Sequence, residues 1–259
     1  MKTVWITALS QNQPRVAAVS AQLQRYGLAS RGHFWDDHPD KLAWRPALDA
    51  LNDARADLWL ILLDQAEFEK PSVRYGLTLM ALALRAQRGA AFPIVLLATG
   101  AAIEANALPQ VLQRCSSLGD SNPAWPAKIV AAANLAARVP APEYRLNVLG
   151  DERIGQWFEL GPVSGSWNGV IFGVAGTDAA INFQASGPAA DLPEKSVLEF
   201  PQQGLQIDAG GQTFTAWALR NQVDHASSYF ARVQGCPQKI LFMPYADGDD
   251  GQAVVLALS

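Results

Sequence analysis

The sequence predicts an α/β domain followed by an all-β domain. Residues 1–139 alternate short apolar runs with segments of helical periodicity, glycine rises from 6 residues in 1–139 to 14 in 140–259, and the formal charge changes from +3 to −7. Alternating strands and helices are typical of a doubly wound parallel sheet, whereas frequent glycine-rich turns are typical of antiparallel β-structure. At 259 residues, the chain is long enough for two domains of these kinds.

The first half is a β-α-β-α-β-α-β series. Val4 opens a β-rich apolar run, and Val16, Val19 and Leu23 then repeat at helical spacing until Gly27 ends the helix. The predicted strands are 4–8, 29–35, 58–63, 92–97 and 113–118, and the predicted helices are 16–25, 46–55, 71–89 and 125–138. The third and fourth strands lack polar alternation, which is typical of central parallel strands covered on both faces. The series favours a five-stranded sheet in the flavodoxin-like strand order 2-1-3-4-5.

The second half has no long helical period. Its predicted strands are 144–149, 156–160, 170–174, 180–185, 196–200, 205–207, 213–219, 228–233, 239–243 and 253–258. Their close spacing, with Gly-Pro, Ser-Gly, Gly-Gly and Asp-Gly turns between them, predicts an antiparallel β-sandwich or barrel.

Two prolines mark the boundary between the halves. Pro140 and Pro142 fix the backbone φ angle, remove two amide donors and disfavour helix at the residues before them. We place the linker at 139–143, so that the predicted domains are 1–139 and 140–259.

Composition excludes several classes of function. The 49% of hydrophobic residues and 17% of charged residues predict a folded protein, and the net charge of −4 argues against a nucleic-acid-binding protein. Two distant cysteines, Cys115 and Cys236, provide neither a disulfide framework nor a four-thiolate zinc site. No apolar run reaches the ~20 residues of a membrane span, and Met1 leads directly into a strand without a signal peptide. We therefore expect a cytoplasmic protein without membrane contact.

Candidate ligand-binding residues follow the strands of the first half. In an open parallel sheet, ligands bind beyond the carboxyl ends of the strands, at the point where the strand order reverses. The side chains delivered there are Ser10, Asn12, Trp35, Asp36, Asp37, Asp64 and Thr99. The turn after the first strand has no glycine-rich phosphate loop, so we expect no dinucleotide bound in the standard ways and no cofactor.

The order of these elements resembles the Toll/interleukin-1 receptor (TIR) domain family over about residues 1–138. The shared features are a serine after strand 1, an acidic loop after strand 2, and a helix after strand 3 entered by a Pro-Ser-x-x-Tyr segment that begins at Pro71. In catalytic members of that family, a glutamate near the start of this helix supports cleavage of the nicotinamide–ribose bond. Gly76 stands at that position here, and Glu67 and Glu69 lie upstream as weak catalytic candidates with Asp36.

The second half offers two tryptophans as candidate ligand contacts. Trp157 and Trp167 lie beside amides and hydroxyls, a combination that carbohydrate-binding or peptide-binding β-sandwiches use. His225 lies between an aspartate and serines, but no Gly-x-Ser-x-Gly elbow is present to hold a nucleophile. His33, Asp36, Asp37 and His38 follow no recognised metal-ligand spacing, so we predict no metal site.

Two functions from different classes remain open. The first is a cytoplasmic interaction or sensing protein, in which a non-catalytic TIR-like domain is joined to a β-sandwich that binds a protein partner, a second copy of the chain or a small ligand. The alternative is a hydrolase of the NAD glycohydrolase type that acts on a nucleotide or nucleoside at the carboxyl edge of the parallel sheet. If the chain binds a small ligand, the candidates are a small nucleotide and a carbohydrate.

Overall fold

The computed structural model describes residues 1–135, 142–245 and 252–259. The chain divides into two compact units, the first made of residues 1–39 and 43–140 and the second of residues 40–42 and 141–259. The predicted linker at 139–143 lies mostly outside the described residues. None of the helices in the described residues combines the length and apolar character needed to cross a bilayer.

The first unit contains a five-stranded parallel sheet. Its strands are β1 (Lys2–Ala8), β2 (Leu28–Phe34), β3 (Leu58–Leu62), β4 (Ile94–Ala98) and β5 (Ser116–Gly119). Its helices are α1 (Gln13–Arg25), α2 (Trp44–Asp53), α3 (Gln65–Phe68), α4 (Pro71–Arg88) and α5 (Trp125–Asn134). The strand order is β2-β1-β3-β4-β5, which is the order predicted from the sequence.

Apolar side chains cover both faces of this sheet. One face packs against α1 and α5, where Leu23 and Ile129 are fully buried beside residues of β1, β3 and β4. On the opposite face, the indole Nε1 of Trp59 donates to Thr7 Oγ1 over 2.8 Å, and both side chains are fully buried. Every residue of β3 and β4 is buried, as the absence of polar alternation predicted.

Several element boundaries in the first unit differ from the prediction by two or three residues, and one short helix was not predicted. Helix α2 begins at Trp44 rather than at residue 46, because Trp44 is itself a buried core residue. The fifth strand begins at Ser116 rather than at residue 113, because a short 3₁₀ turn occupies Gln110–Leu112 just before it. Residues 65–68 form a separate short helix, which Asp64 caps.

The second unit is built from antiparallel strands. They are β6 (Tyr144–Asp151), β7 (Gly155–Pro162), β8 (Ser166–Trp167), β9 (Val170–Ala175), β10 (Ala180–Pro188), β11 (Gln202–Ala209), β12 (Gln212–Leu219), β13 (Val223–Asp224), β14 (Ser227–Gln234), β15 (Lys239–Pro244) and β16 (Val254–Ala257). They form a four-stranded sheet, β10-β14-β7-β6, a five-stranded sheet, β11-β12-β9-β15-β16, and the short pair β13-β8.

Aromatic side chains join the two larger sheets of this unit. The ring centroid of Phe172 on β9 lies 5.5 Å from that of Phe158 on β7 and 6.3 Å from that of Tyr229 on β14. All three side chains are fully buried, so they form part of the core of this unit.

The predicted strand at 196–200 is wrong. This segment is held by side chains instead: Ser196 Oγ bonds both the amide and the carbonyl of Ser186, and the amide group of Asn221 bonds Val197 and Glu199. Phe200 has a φ of 46°, in the left-handed region, which interrupts an extended strand. The segment therefore crosses the unit as an irregular strap.

Candidate functional site

A single arginine spans the carboxyl ends of the central strands in the first unit. The Nη1 of Arg15, in the first turn of α1, donates to the carbonyl of Leu63 over 2.6 Å, and its Nη2 donates to the carbonyl of Leu97 over 3.2 Å. The same Nη2 lies 3.5 Å from Asp120, whose other oxygen accepts from the amide of Gly100. The guanidinium thus satisfies backbone oxygens at the edge where a parallel sheet usually receives its ligand.

Arg15 was missed in the sequence prediction. The one local signal is a cation in the first turn of a helix, where the helix dipole disfavours positive charge. Such a cation needs acceptors elsewhere, and here they come from strands 48 and 82 residues further along the chain.

Two of the predicted ligand-binding side chains cap helices. Asn12 Oδ1 accepts from the amide of Arg15 at the start of α1 over 3.1 Å, and Asp64 Oδ1 accepts from the amide of Glu67 at the start of α3 over 3.3 Å. Both residues follow the carboxyl ends of strands, and their oxygens satisfy free helix amides. Ser10 is half-buried, and Thr99 is exposed at the end of β4.

The acidic loop after β2 is tied to the start of α4. Asp37 Oδ2 accepts from Ser72 Oγ over 2.7 Å, while its Oδ1 is buried and has no partner within the described residues. Asp36 contacts the imidazole of its neighbour His38. The loop therefore presents one buried carboxylate oxygen, from Asp37, that protein groups do not satisfy.

The ring of Trp35 fills the space beside Gly76. A Cβ built at Gly76 would lie 2.7 Å from Trp35 Cζ2 and 3.3 Å from Cη2, both closer than normal van der Waals contact. Phe68, just before this helix, and Tyr75, in its first turns, are each 2% exposed. Gly76 is thus packed against an indole.

Glu67 and Glu69 form local pairs on the surface. Glu67 Oε2 accepts from Lys70 Nζ over 2.7 Å, and this hydrogen bond raises the pKa of the lysine. Glu69 accepts from the amide group of Gln65 over 2.7 Å. Each carboxylate is engaged within its own turn of chain, and neither is grouped with Asp36 by any contact that the structure describes.

His33 on β2 is a half-buried titratable group that the sequence did not single out as a site. Its Nδ1 accepts from Trp5 Nε1 over 3.1 Å, and its Nε2 is buried without a partner in the described residues. The ring centroids of Trp5 and Trp35 lie 5.7 and 6.5 Å from that of the imidazole. Burial among these rings lowers the pKa of His33 to about 4, because the charged form loses its hydration there.

The two candidate tryptophans of the second unit lie apart. Trp157 is near the start of β7, whereas Trp167 lies on β8, which follows the far end of β7 and pairs with Val223 on β13. The five residue-to-residue steps from Trp157 to Pro162 alone span about 16 Å of strand. The structure therefore does not bring the two rings together as one platform.

The sequence Asp224-His225-Ala226-Ser227 forms a turn. Asp224 Oδ1 accepts from the hydroxyl of Ser227 over 2.8 Å and from the amides of Ala226 and Ser227, and these bonds lower the pKa of the carboxyl group. His225 is exposed. The aspartate thus closes its own turn and does not orient the histidine for catalysis.

Among the described residues of the second unit, Glu159 is the most deeply buried carboxylate, and it was not predicted. It is 4% exposed, and its oxygens accept from Ser228 Oγ over 2.8 Å, the amide of Ala190 over 2.7 Å and Asn147 Nδ2 over 3.1 Å. Arg145 donates in turn to Ser228 Oγ over 3.1 Å. This network holds Ala190, just after the end of β10, against β7 and β14.

No metal-binding group emerges from the residues that the structure describes. Within them, no three histidine, cysteine, aspartate or glutamate side chains are grouped so that they could hold a metal ion.

Comparisons with known proteins identify no family for this chain. No protein-family model matches it, and no curated protein matches it. One solved structure that it resembles is a two-domain esterase active on acetylated mannans, with 9% identity and a TM-score of 0.27, over 99% of this chain and 90% of the esterase chain. A similarity at this level carries no argument about fold or activity.

Proposed function

We propose that this chain is a cytoplasmic interaction or sensing protein without NAD-cleaving activity. In this proposal, the first unit is a flavodoxin-like domain of the TIR type, and the second is a β-sandwich that binds a protein partner or a second copy of the chain. The observation that carries the proposal is the packing of Trp35 against Gly76.

Cleavage of a nicotinamide–ribose bond needs a carboxylate beside the ribose, where cationic character develops. Gly76 has no side chain, and even a methyl group there would require the indole of Trp35 to move. Arg15 already occupies backbone acceptors at the strand ends, and Glu67 is paired with Lys70. Each of these contacts favours a packed structural edge over a catalytic crevice.

One observation favours the alternative, a nucleotide-processing or nucleoside-processing hydrolase. The buried Oδ1 of Asp37 lacks a protein partner among the described residues, and it lies beside Ser72 at the start of α4. A ribose hydroxyl is a donor that could satisfy this oxygen. The alternative therefore predicts turnover that depends on Asp37.

Release of nicotinamide from NAD by the purified full-length chain distinguishes the two functions. The proposal predicts no release above a sample without protein, both for the natural chain and for Asp37→Asn. Sustained turnover that Glu67→Gln, Glu69→Gln or Asp37→Asn abolishes would overturn it.

A further inference from the structure

An arginine lies between two aromatic rings on the outer face of the four-stranded sheet. Three residues stand opposite one another on neighbouring strands: Phe183 on β10 pairs with Arg232 on β14, which pairs with Trp157 on β7. The guanidinium carbon lies 5.6 Å from the Phe183 ring centroid and 5.7 Å from that of Trp157. The next residue of β7, Phe158, is fully buried and points to the opposite face, so this row faces outward.

The side chain of Arg232 is held in place from two directions. A Cβ at Gly155 would lie 3.7 Å from Arg232 Cδ, so the arginine stem runs over a residue without a side chain. Its Nε donates to Asn182 Oδ1 over 2.7 Å. In the described part of the chain, neither Nη group has a hydrogen-bond acceptor and no carboxylate forms an ion pair with it. The Nε of the guanidinium is thus fixed by Asn182, and its two Nη groups have N–H donors that no described residue accepts.

The surroundings of these free donors are apolar. Phe183 is 49% exposed and Ile154 is 46% exposed, although both are large hydrophobic residues. Trp157 Nε1 already donates to the carbonyl of Ile154 over 3.0 Å, and the guanidinium lies over its ring. A pyranose needs an open ring face with polar groups beside it, so this row does not suit a neutral sugar.

We propose that Arg232 binds the carboxylate of an acidic peptide segment from a partner protein. A guanidinium presents parallel N–H groups that match the two oxygens of a carboxylate, and it is weakly hydrated, which suits an apolar surface. In an extended peptide, side chains two positions apart share one face and lie about 6.6 Å apart. That spacing is close to the distance from the guanidinium to the Phe183 ring.

The preferred segment therefore has a glutamate or aspartate with apolar residues two positions before and after it. The apolar residues would cover Phe183 and Ile154 while the carboxylate meets the free edge of Arg232. This inference concerns the second unit alone, and it stands whether or not the first unit cleaves NAD.

The acidic charge of the second unit does not oppose such binding at physiological salt. The residues from 140 onward carry a formal charge of −7, but at 0.15 M ionic strength charges are screened beyond about 8 Å. The contact pair itself lies within that distance. We expect the affinity to fall as salt rises, as for any exposed ion pair.

The test is fluorescence anisotropy of a labelled peptide, Leu-Thr-Glu-Thr-Leu, titrated with the full-length chain at 0.15 M salt. We expect saturable binding that weakens at least tenfold when the peptide glutamate becomes glutamine or when Arg232→Gln is introduced. Arg232→Lys keeps the positive charge but lacks the parallel N–H groups of a guanidinium. Its affinity for the peptide should therefore lie between those of the natural chain and of Arg232→Gln. The matched control is Arg153→Gln, which removes an exposed arginine close by in sequence and should leave the affinity unchanged.

Several outcomes would overturn the inference. Equal affinity for the glutamine peptide, no binding at all, or equal loss in Arg153→Gln would each show that Arg232 is not a carboxylate site. Stronger binding of oligogalacturonate than of the peptide would assign the row to an acidic sugar. Dimerisation in sedimentation that Arg232→Gln abolishes would assign it to a second copy. Circular dichroism of each variant verifies that it folds, and none of these results alters the nicotinamide assay.

Discussion

Replacing Gly76 by alanine tests whether Trp35 requires a glycine on α4. The new methyl group would lie 2.7 Å from Trp35 Cζ2, so either the indole or the helix must shift. In an isolated helix the same substitution stabilises the helix, because glycine loses more backbone entropy than alanine when the helix forms. The sign of the effect therefore reports whether the indole is packed there.

Two opposing terms set the size of this effect. Alanine in place of glycine gains about 1 kcal/mol of helix stability. Forcing an extra carbon into a packed core costs about 1–3 kcal/mol. We expect Gly76→Ala to lower the free energy of unfolding by up to about 2 kcal/mol. In a Trp35→Leu background the clash is absent, and the same change should raise it by up to about 1 kcal/mol.

The assay is urea unfolding of the full-length chain, followed by helical circular dichroism. This signal reports on the first unit, because all five α-helices of the described residues lie there. Ala86→Gly, at an exposed position of the same helix, measures the propensity term and should cost about the same in both backgrounds. If Gly76→Ala destabilises the chain equally with and without Trp35, the proposed packing constraint is refuted.

Three further predictions concern buried polar groups. Arg15→Met should lower the free energy of unfolding by about 1–3 kcal/mol in the same urea assay, because strand carbonyls lose their donors, and Arg15→Lys should recover part of it. The unfolded imidazole of His33 gains a proton below pH 6.5 while the folded one stays neutral to about pH 4. Stability should therefore fall by roughly 2–3 kcal/mol as pH drops through that window, a loss that His33→Gln removes. Glu159→Ala should cost about 1–3 kcal/mol and speed hydrogen exchange at Ala190, and Glu152→Ala should do neither.

The parallel sheet could be predicted from the sequence because its signal is local. Residues 58–62 and 94–98 are apolar without interruption, and the structure buries each of them. The residues that follow these strands lie at the carboxyl edge, since chain direction in a parallel sheet fixes that position.

The roles of Arg15 and Trp35 could not be predicted, because their partners are distant in sequence. Arg15 reaches carbonyls on two later strands, and Trp35 packs on a helix that begins at Pro71. Local patterns contain no information about which indole will lie beside which glycine. The sequence therefore indicated that Gly76 departs from the TIR pattern, but not that Trp35 fills the space.

The strand predicted at 196–200 failed for a related reason. Val197 and Phe200 gave this segment the composition of a strand, yet Val197 is 81% exposed and Phe200 is 74% exposed. The backbone groups of Val197 and Glu199 bond the side-chain amide of Asn221, and Ser196 Oγ bonds the backbone of Ser186. From the sequence alone, an irregular segment with apolar residues cannot be distinguished from a strand, because the exposure of those residues is not known.

Saturation-transfer NMR of NAD with the full-length chain tests most directly whether the carboxyl edge of the first unit is closed. The account predicts no transfer to the adenine, ribose or nicotinamide protons, because side chains of this unit already occupy the edge. Transfer to the nicotinamide and its ribose that disappears in Asp37→Asn, but persists in the surface control Asp49→Asn, would contradict it and favour the hydrolase.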